Sequence, residues 1–114
     1  MTPNVVLAAA IAMLATPAFA HSTKEDVIPA REATLEGSPA EIAMRFDAAM
    51  RITRIALTDG DGRSFDLERG DGMAPVTEFA ATPEALPPGD YTVEWSGIAE
   101  DGHTMSGAWT FTVR

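Results

Sequence analysis

The segment Asp90-Tyr91-Thr92-Val93-Glu94-Trp95-Ser96 alternates without a break, setting Tyr91, Val93 and Trp95 against Thr92 and Glu94. Successive side chains of a strand leave opposite faces, so this is the pattern of a strand with one dry face and one wet face. Ala40 to Phe46 repeats it, with Ile42, Met44 and Phe46 on one side and Glu41, Ala43 and Arg45 on the other. Ala108 to Arg114 does so again through Trp109, Phe111 and Val113. Strands of this kind pack their apolar faces against one another and leave the polar ones in water.

Between them the chain reads as further short strands joined by turns. Arg51 to Thr58 has Ile55 and Leu57 as its inward pair, and Arg63 to Arg69 has Phe65 and Leu67. Asp59-Gly60-Asp61-Gly62 joins these two, because Asp-Gly supplies the left-handed backbone that a tight hairpin needs. Asp59, Asp61 and Asp66 have the beginnings of a calcium loop, but no glutamate stands at the twelfth position, so the turn reading is kept. Asp47 to Met50 reads as a helical turn or a loop. Gly70 to Pro75 is a second loop, Val76 to Ala80 a short strand, and Thr82 to Gly89 a proline-rich connection. Ser22 to Glu36 is polar and without a clean period, an extended lead-in, and Gly37-Ser38-Pro39 is a turn. No run after residue 20 has a helical period. About seven short strands with turn signals at this spacing predict an all-β, immunoglobulin-like antiparallel sandwich.

The front of the chain has another character. Val5 to Leu14 is apolar, and Ala18-Phe19-Ala20 is a small-x-small cleavage pattern. The apolar run is shorter than the roughly 20 residues a membrane-crossing helix needs. Residues 1–20 are therefore expected to be a signal peptide cleaved after Ala20, and residues 21–114 a single exported domain, a monomer not inserted in the membrane. The chain has no cysteine, which excludes thiol catalysis, zinc–thiolate sites and iron–sulfur clusters. Its net charge of −9 argues against nucleic acid and anionic lipid as partners.

The residues that carry chemistry are few. His21 and His103 are the only histidines, and His103 stands two residues after Asp101. On an extended segment that spacing puts a carboxylate and an imidazole on one face. Asp-Gly beside a histidine is also an ordinary solvated turn. What gives the pair weight is His21, which cleavage after Ala20 would make the first residue. It would then offer an imidazole and a free amine to one metal. An amine, two imidazoles and a carboxylate oxygen form a nitrogen-rich set that favours Cu(II). The methionines Met44, Met50, Met73 and Met105 are dispersed. Met44 has the phase of a core residue, while Met73 and Met105, read as loop residues, are candidates to assist Cu(I).

Several stretches together resemble the CopC family of periplasmic copper-binding proteins. They are His21 directly after Ala-x-Ala, Ser38-Pro39-Ala40-Glu41-Ile42 leading to Arg45-Phe46, and Leu86-Pro87-Pro88-Gly89-Asp90-Tyr91-Thr92-Val93-Glu94-Trp95. Asp101-Gly102-His103, Gly107 and the closing Trp109-Thr110-Phe111-Thr112-Val113 complete the likeness. The resemblance implies a Greek-key β-barrel or sandwich in the periplasm that binds one Cu(II) per chain through His21, Asp101 and His103. It also implies a part in copper resistance, homeostasis or uptake beside an inner-membrane protein, CopD. The methionine-rich segment of some members is absent, so a Cu(II)-only type is expected, and Lys24-Glu25-Asp26 departs from a more apolar start. The expected activity is carriage and not catalysis. Two other readings are a copper enzyme of the histidine-brace kind and an immunoglobulin-like interaction module without metal.

Overall fold

The structure, a computed structural model, describes residues 25–114. The expected signal peptide, its cleavage site and His21 lie outside the described residues. Eight strands follow one another: β1 (Glu25–Ile28), β2 (Ala33–Leu35), β3 (Ile42–Asp59), β4 (Ser64–Phe65), β5 (Leu67–Arg69), β6 (Val76–Pro83), β7 (Gly89–Ala99) and β8 (Thr104–Val113). They form one sheet in the order β2-β8-β7-β3-β6-β5, with β1 and β4 also paired to β3. All pairs are antiparallel except β2 with β8. The all-β Greek-key expectation holds. Among the described residues no helix is long and apolar enough to cross a membrane.

Three local readings are corrected. Asp47 to Met50 is neither a helical turn nor a separate loop, for β3 runs through it unbroken over 18 residues. Five steps along β3, from Arg45 to Met50, match only two along β6, from Glu78 to Val76. The surplus residues bend the strand there, and bulged backbone of this kind breaks the alternation on which the sequence reading depended. Met50 is consequently buried. The irregular lead-in contains β1 and β2, both too short for periodicity to show. The strand read from Arg63 to Arg69 is interrupted at Asp66, whose N–H turns to the Glu84 carboxylate at 2.7 Å.

β3 joins the two halves of the curled sheet. Its first part, Ile42 to Phe46, lies between β1 and β6, and its second part, Met50 to Asp59, pairs with β7. β6 occupies one edge of β3, so β1 and β7 follow one another along the other edge. The dry faces enclose a core of Ile42, Met44, Phe46, Met50, Ile52, Leu57, Phe79, Tyr91, Val93, Trp95, Trp109, Phe111 and Val113, all at most 3% exposed. Phe46 meets Trp95 edge-on at 5.3 Å and Tyr91 stacks on Phe111 at 5.5 Å. The Tyr91 hydroxyl donates to the Pro87 carbonyl and ties the proline-rich connection to the core.

Two details fix the packing. Gly107 stands opposite Trp95, and a Cβ there would lie 2.7 Å from the indole Nε1, so only glycine admits the ring. At the edge of the core the Arg69 guanidinium donates to both Asp71 carboxylate oxygens at 2.9 and 2.8 Å and to the Ile52 carbonyl, and lies over the Phe79 ring. That guanidinium, by its hydrogen bonds first, holds the Asp71 carboxyl below its ordinary range.

Gly107→Ala is therefore expected to lower the unfolding free energy by about 1–3 kcal/mol, the cost of overpacking a filled core. Gly60→Ala, at a site where a Cβ meets nothing within 4 Å, should change it by less than about 0.5 kcal/mol. Urea unfolding followed by tryptophan fluorescence checks both, and equal stability of the two variants would refute the fit. Asp71→Asn should cost about 2 kcal/mol at neutral pH, within the range for hydrogen bonds to a charged group. Because the folded-state pKa of Asp71 is depressed, that stabilisation is complete above the ordinary carboxylate range, near about pH 4, and is lost as pH falls through the depressed value. The stability gap between the two proteins should close on acidification.

Candidate metal centre

β7 and β8 are joined by Glu100 to His103, a tight connection closed by Gly102 N–H to the Ala99 carbonyl and by Ala99 N–H to the His103 carbonyl, both 2.9 Å. Gly102 takes φ 89°, a conformation that other residues adopt only under strain. The Asp101 side chain organises the turn. One carboxylate oxygen accepts the His103 backbone N–H at 3.0 Å, and the other lies 2.8 Å from the His103 ring Nδ1. The backbone hydrogen bond first, then the one to the ring, hold the Asp101 carboxyl below its usual range.

Asp101 and His103 do meet, though not as the sequence spacing suggested. They are not two same-face residues of a strand. They sit in a turn, where the carboxylate folds back over the histidine it precedes by two residues, as Asp side chains do in Asx turns. The consequence is chemical. With Nδ1 directed at Asp101, Nε2 is the ring nitrogen left for a ligand, and a carboxylate partner on the second nitrogen is the usual support of a metal-binding imidazole. Both side chains are open to solvent, His103 at 82% and Asp101 at 64%.

The pair is half of a site. Among the described residues no three His, Cys, Asp or Glu side chains come together as a metal cluster, and His21 lies outside them. Met105, expected in a loop, is the second residue of β8, pairs with Gly97 and packs against the core. Met73 is in its loop, 48% exposed, with φ 63°. The Asp59 turn also reads as expected: its carboxylate accepts the N–H groups of Asp61 and Arg63, both at 2.9 Å. What the sequence reading missed is β1. The adjacent β-branched Val27 and Ile28 were its available signal, and β1 is the element that delivers the front of the chain to the edge of β3.

Comparison with known proteins agrees with this fold. The CopC domain, as a family profile, matches residues 25–114. The curated Copper resistance protein C of Escherichia coli is 24% identical over 111 residues, covering 89% of this chain and 87% of that protein. Among solved structures, CopC from Methylosinus trichosporium OB3b superposes with a TM-score of 0.64 at 23% identity, covering 79% of this chain and 93% of that one. PcoC, a copper resistance protein from Escherichia coli, gives 0.65 at 24% identity, covering 78% and 96%. At these identities the structural likeness is one of fold, while the profile match extends over every described strand: the chain belongs to the CopC domain family.

Proposed function

We propose that the protein is a periplasmic Cu(II) carrier in copper resistance, homeostasis or uptake. It takes one Cu(II) per chain through the amine and imidazole of His21 and the imidazole of His103, while Asp101, expected as a further ligand, lies against Nδ1 on the side of the ring away from Nε2 and holds the imidazole in place. The cargo then passes to an inner-membrane partner of the CopD kind. The observation that carries the reading is the Asp101–His103 pair, which holds the imidazole with Nε2 toward solvent.

Chain geometry supports the rest. β1 enters at Glu25, opposite Phe46, and along the same edge of β3 the residue Met50 faces Ala99, where the Asp101–His103 turn begins. From Phe46 to Met50 is four residues, and four extended residues span at most about 14 Å. The chain between His21 and Glu25 is also four residues long, so His21 is within reach of the turn. Membership of the CopC domain family and the name of the Escherichia coli relative favour copper over other divalent ions.

A Cu(II) titration of the protein beginning at His21, followed by electron paramagnetic resonance and tryptophan fluorescence, should show one tight equivalent with nitrogen hyperfine structure. The same protein with one extra Met ahead of His21 should lose it. Equal weak binding by both forms would refute the amino-terminal site.

His103→Ala should remove tight binding, and Asp101→Asn should weaken it by about 10–100-fold, the usual loss when a carboxylate partner of a metal-bound histidine is removed. Binding should also weaken as pH falls below about 7.7, because copper must displace the proton of the amine. Asp101, with its depressed pKa, stays ionised throughout that range. An affinity independent of pH between 6 and 8 would contradict an amine ligand.

A further inference from the structure

The outer face of the sheet beside the Asp101–His103 turn carries two arginines that no carboxylate among the described residues approaches within ion-pair distance. Arg31, Arg45, Arg63, Arg69 and Arg114 each have a carboxylate between 2.8 and 3.8 Å away. Arg51 and Arg54 have no such partner among the described residues, in a protein whose net charge is −9. Both are exposed, and both lie on β3 facing outward. Their common direction is the work of a bulge. The register with β7 slips between Ile52 and Arg54, so that Arg51 pairs with Ile98 and Arg54 with Ser96. Thr53 is the extra residue, its hydroxyl bonded to the Ser96 carbonyl at 3.3 Å. In regular alternation Arg54 would point into the core with Ile52. Bulges re-aim side chains in this way, and here the bulge brings two cations onto one surface.

That surface also has an apolar centre. Arg51, Ile98 and Thr104 form one cross-strand row, and Arg54, Ser96 and Ser106 the next. Ile98 is 38% exposed, one of few large apolar side chains left open. It immediately precedes Ala99, and Thr104 immediately follows His103, so the row borders the turn on both of its strands. Below it the small residues Ser96, Ser106 and Ala108 leave a depression of about 410 Å³, with Arg54 and Glu94 at its sides.

We propose that the Arg51–Ile98–Arg54 face is the docking surface for the protein that exchanges cargo at the adjoining turn, and that this partner presents carboxylates around an apolar side chain. Charge complementarity supplies the argument. An acidic chain repels an acidic partner, and two arginines without an ion-pair partner beside the exchange point, with Glu94 at the far side of the depression, offer carboxylates two points of attachment that fix the orientation of approach. An anionic membrane fits less well, because the rest of the chain would be repelled from it. The inference rests on the proposed function only in naming what is exchanged.

The test uses the metal-free protein, isotopically labelled, with the peptide acetyl-Glu-Asp-Leu-Leu-Asp-Glu-amide as probe and its lysine counterpart as control. Amide shifts should concentrate at Arg51 to Arg54, Ser96 to Ile98 and Thr104 to Ser106, and fade as salt is raised. The Arg51→Gln/Arg54→Gln double variant, folded by its amide spectrum, should bind at least about tenfold more weakly. Arg51→Lys/Arg54→Lys should bind nearly as wild type does. No shifts at millimolar peptide, shifts elsewhere, equal binding of the lysine peptide, indifference to the glutamine variant, or stronger binding to phosphatidylglycerol vesicles than to the peptide would each overturn the proposal. A parallel Cu(II) titration of the glutamine variant should match wild type. Failure of copper binding in wild type with the peptide map intact would count against the carrier reading alone.

Discussion

The hydrogen bonding of β3 to four other strands is the constraint on which the rest of the molecule depends. One strand pairs with β1, β4, β6 and β7, which is possible only because it bends between Arg45 and Met50 and hands its outer edge from β1 to β7. The bend closes the sheet over its own apolar face, so that Phe46 from the first half packs on Trp95 from the second. It also decides where the functional end is. The edge along which β1 pairs is the edge on which β7 ends, so Glu25 and the turn that holds Asp101 and His103 share one edge of β3.

With no cysteine to cross-link it, the domain is held by apolar packing and by a few well-placed polar ties. The aromatic residues supply most of the filling, since each buries a large area. The indole N–H groups of Trp95 and Trp109 are buried without a protein acceptor among the described residues. The core thus trades some polar satisfaction for volume, and Gly107 shows how little room the arrangement leaves. Arg69 supplies one such polar tie: its guanidinium satisfies Asp71 and the Ile52 carbonyl and lies over Phe79, pinning the loop after β5 to β3.

Much of this was legible in the sequence, for definite reasons. Alternation over Tyr91, Val93 and Trp95, and over Trp109, Phe111 and Val113, identified strands whose dry faces are in the core, because period two survives wherever a strand is regular. It failed at Asp47 to Met50, where surplus residues break the period while the strand continues; the strand from Arg51 to Thr58, with Ile55 and Leu57 inward, reads as expected, although its bulge at Thr53 leaves no mark in the sequence. It failed again at β1 and β2, which are too short to show a period and are strands only because β3 and β8 offer them an edge. The candidate site was legible as residue types and as a spacing. Its geometry was not, since Asp101 and His103 meet through a turn in which the carboxylate bonds both the backbone and the ring of His103. No strand alternation encodes that contact.

For the proposed carrier role, the position of the pair favours exchange over storage. A metal held for structural reasons is commonly enclosed by ligands fixed on rigid elements. Here a single imidazole stands at the tip of a hairpin, largely in water, oriented by one carboxylate that is itself solvated. Little desolvation is needed for a ligand of another protein to reach Nε2 of His103, and little stability is lost if the turn shifts, because none of the core residues belongs to it. The hydrogen bonds with His103, its backbone N–H first and then its ring, hold the Asp101 carboxyl below its usual range and favour the charged form. The fold therefore separates two demands on a small chain. The bent strand and the aromatic interior supply stability, while the hairpin tip, tied to them only through β7 and β8, remains open to gain and lose a ligand.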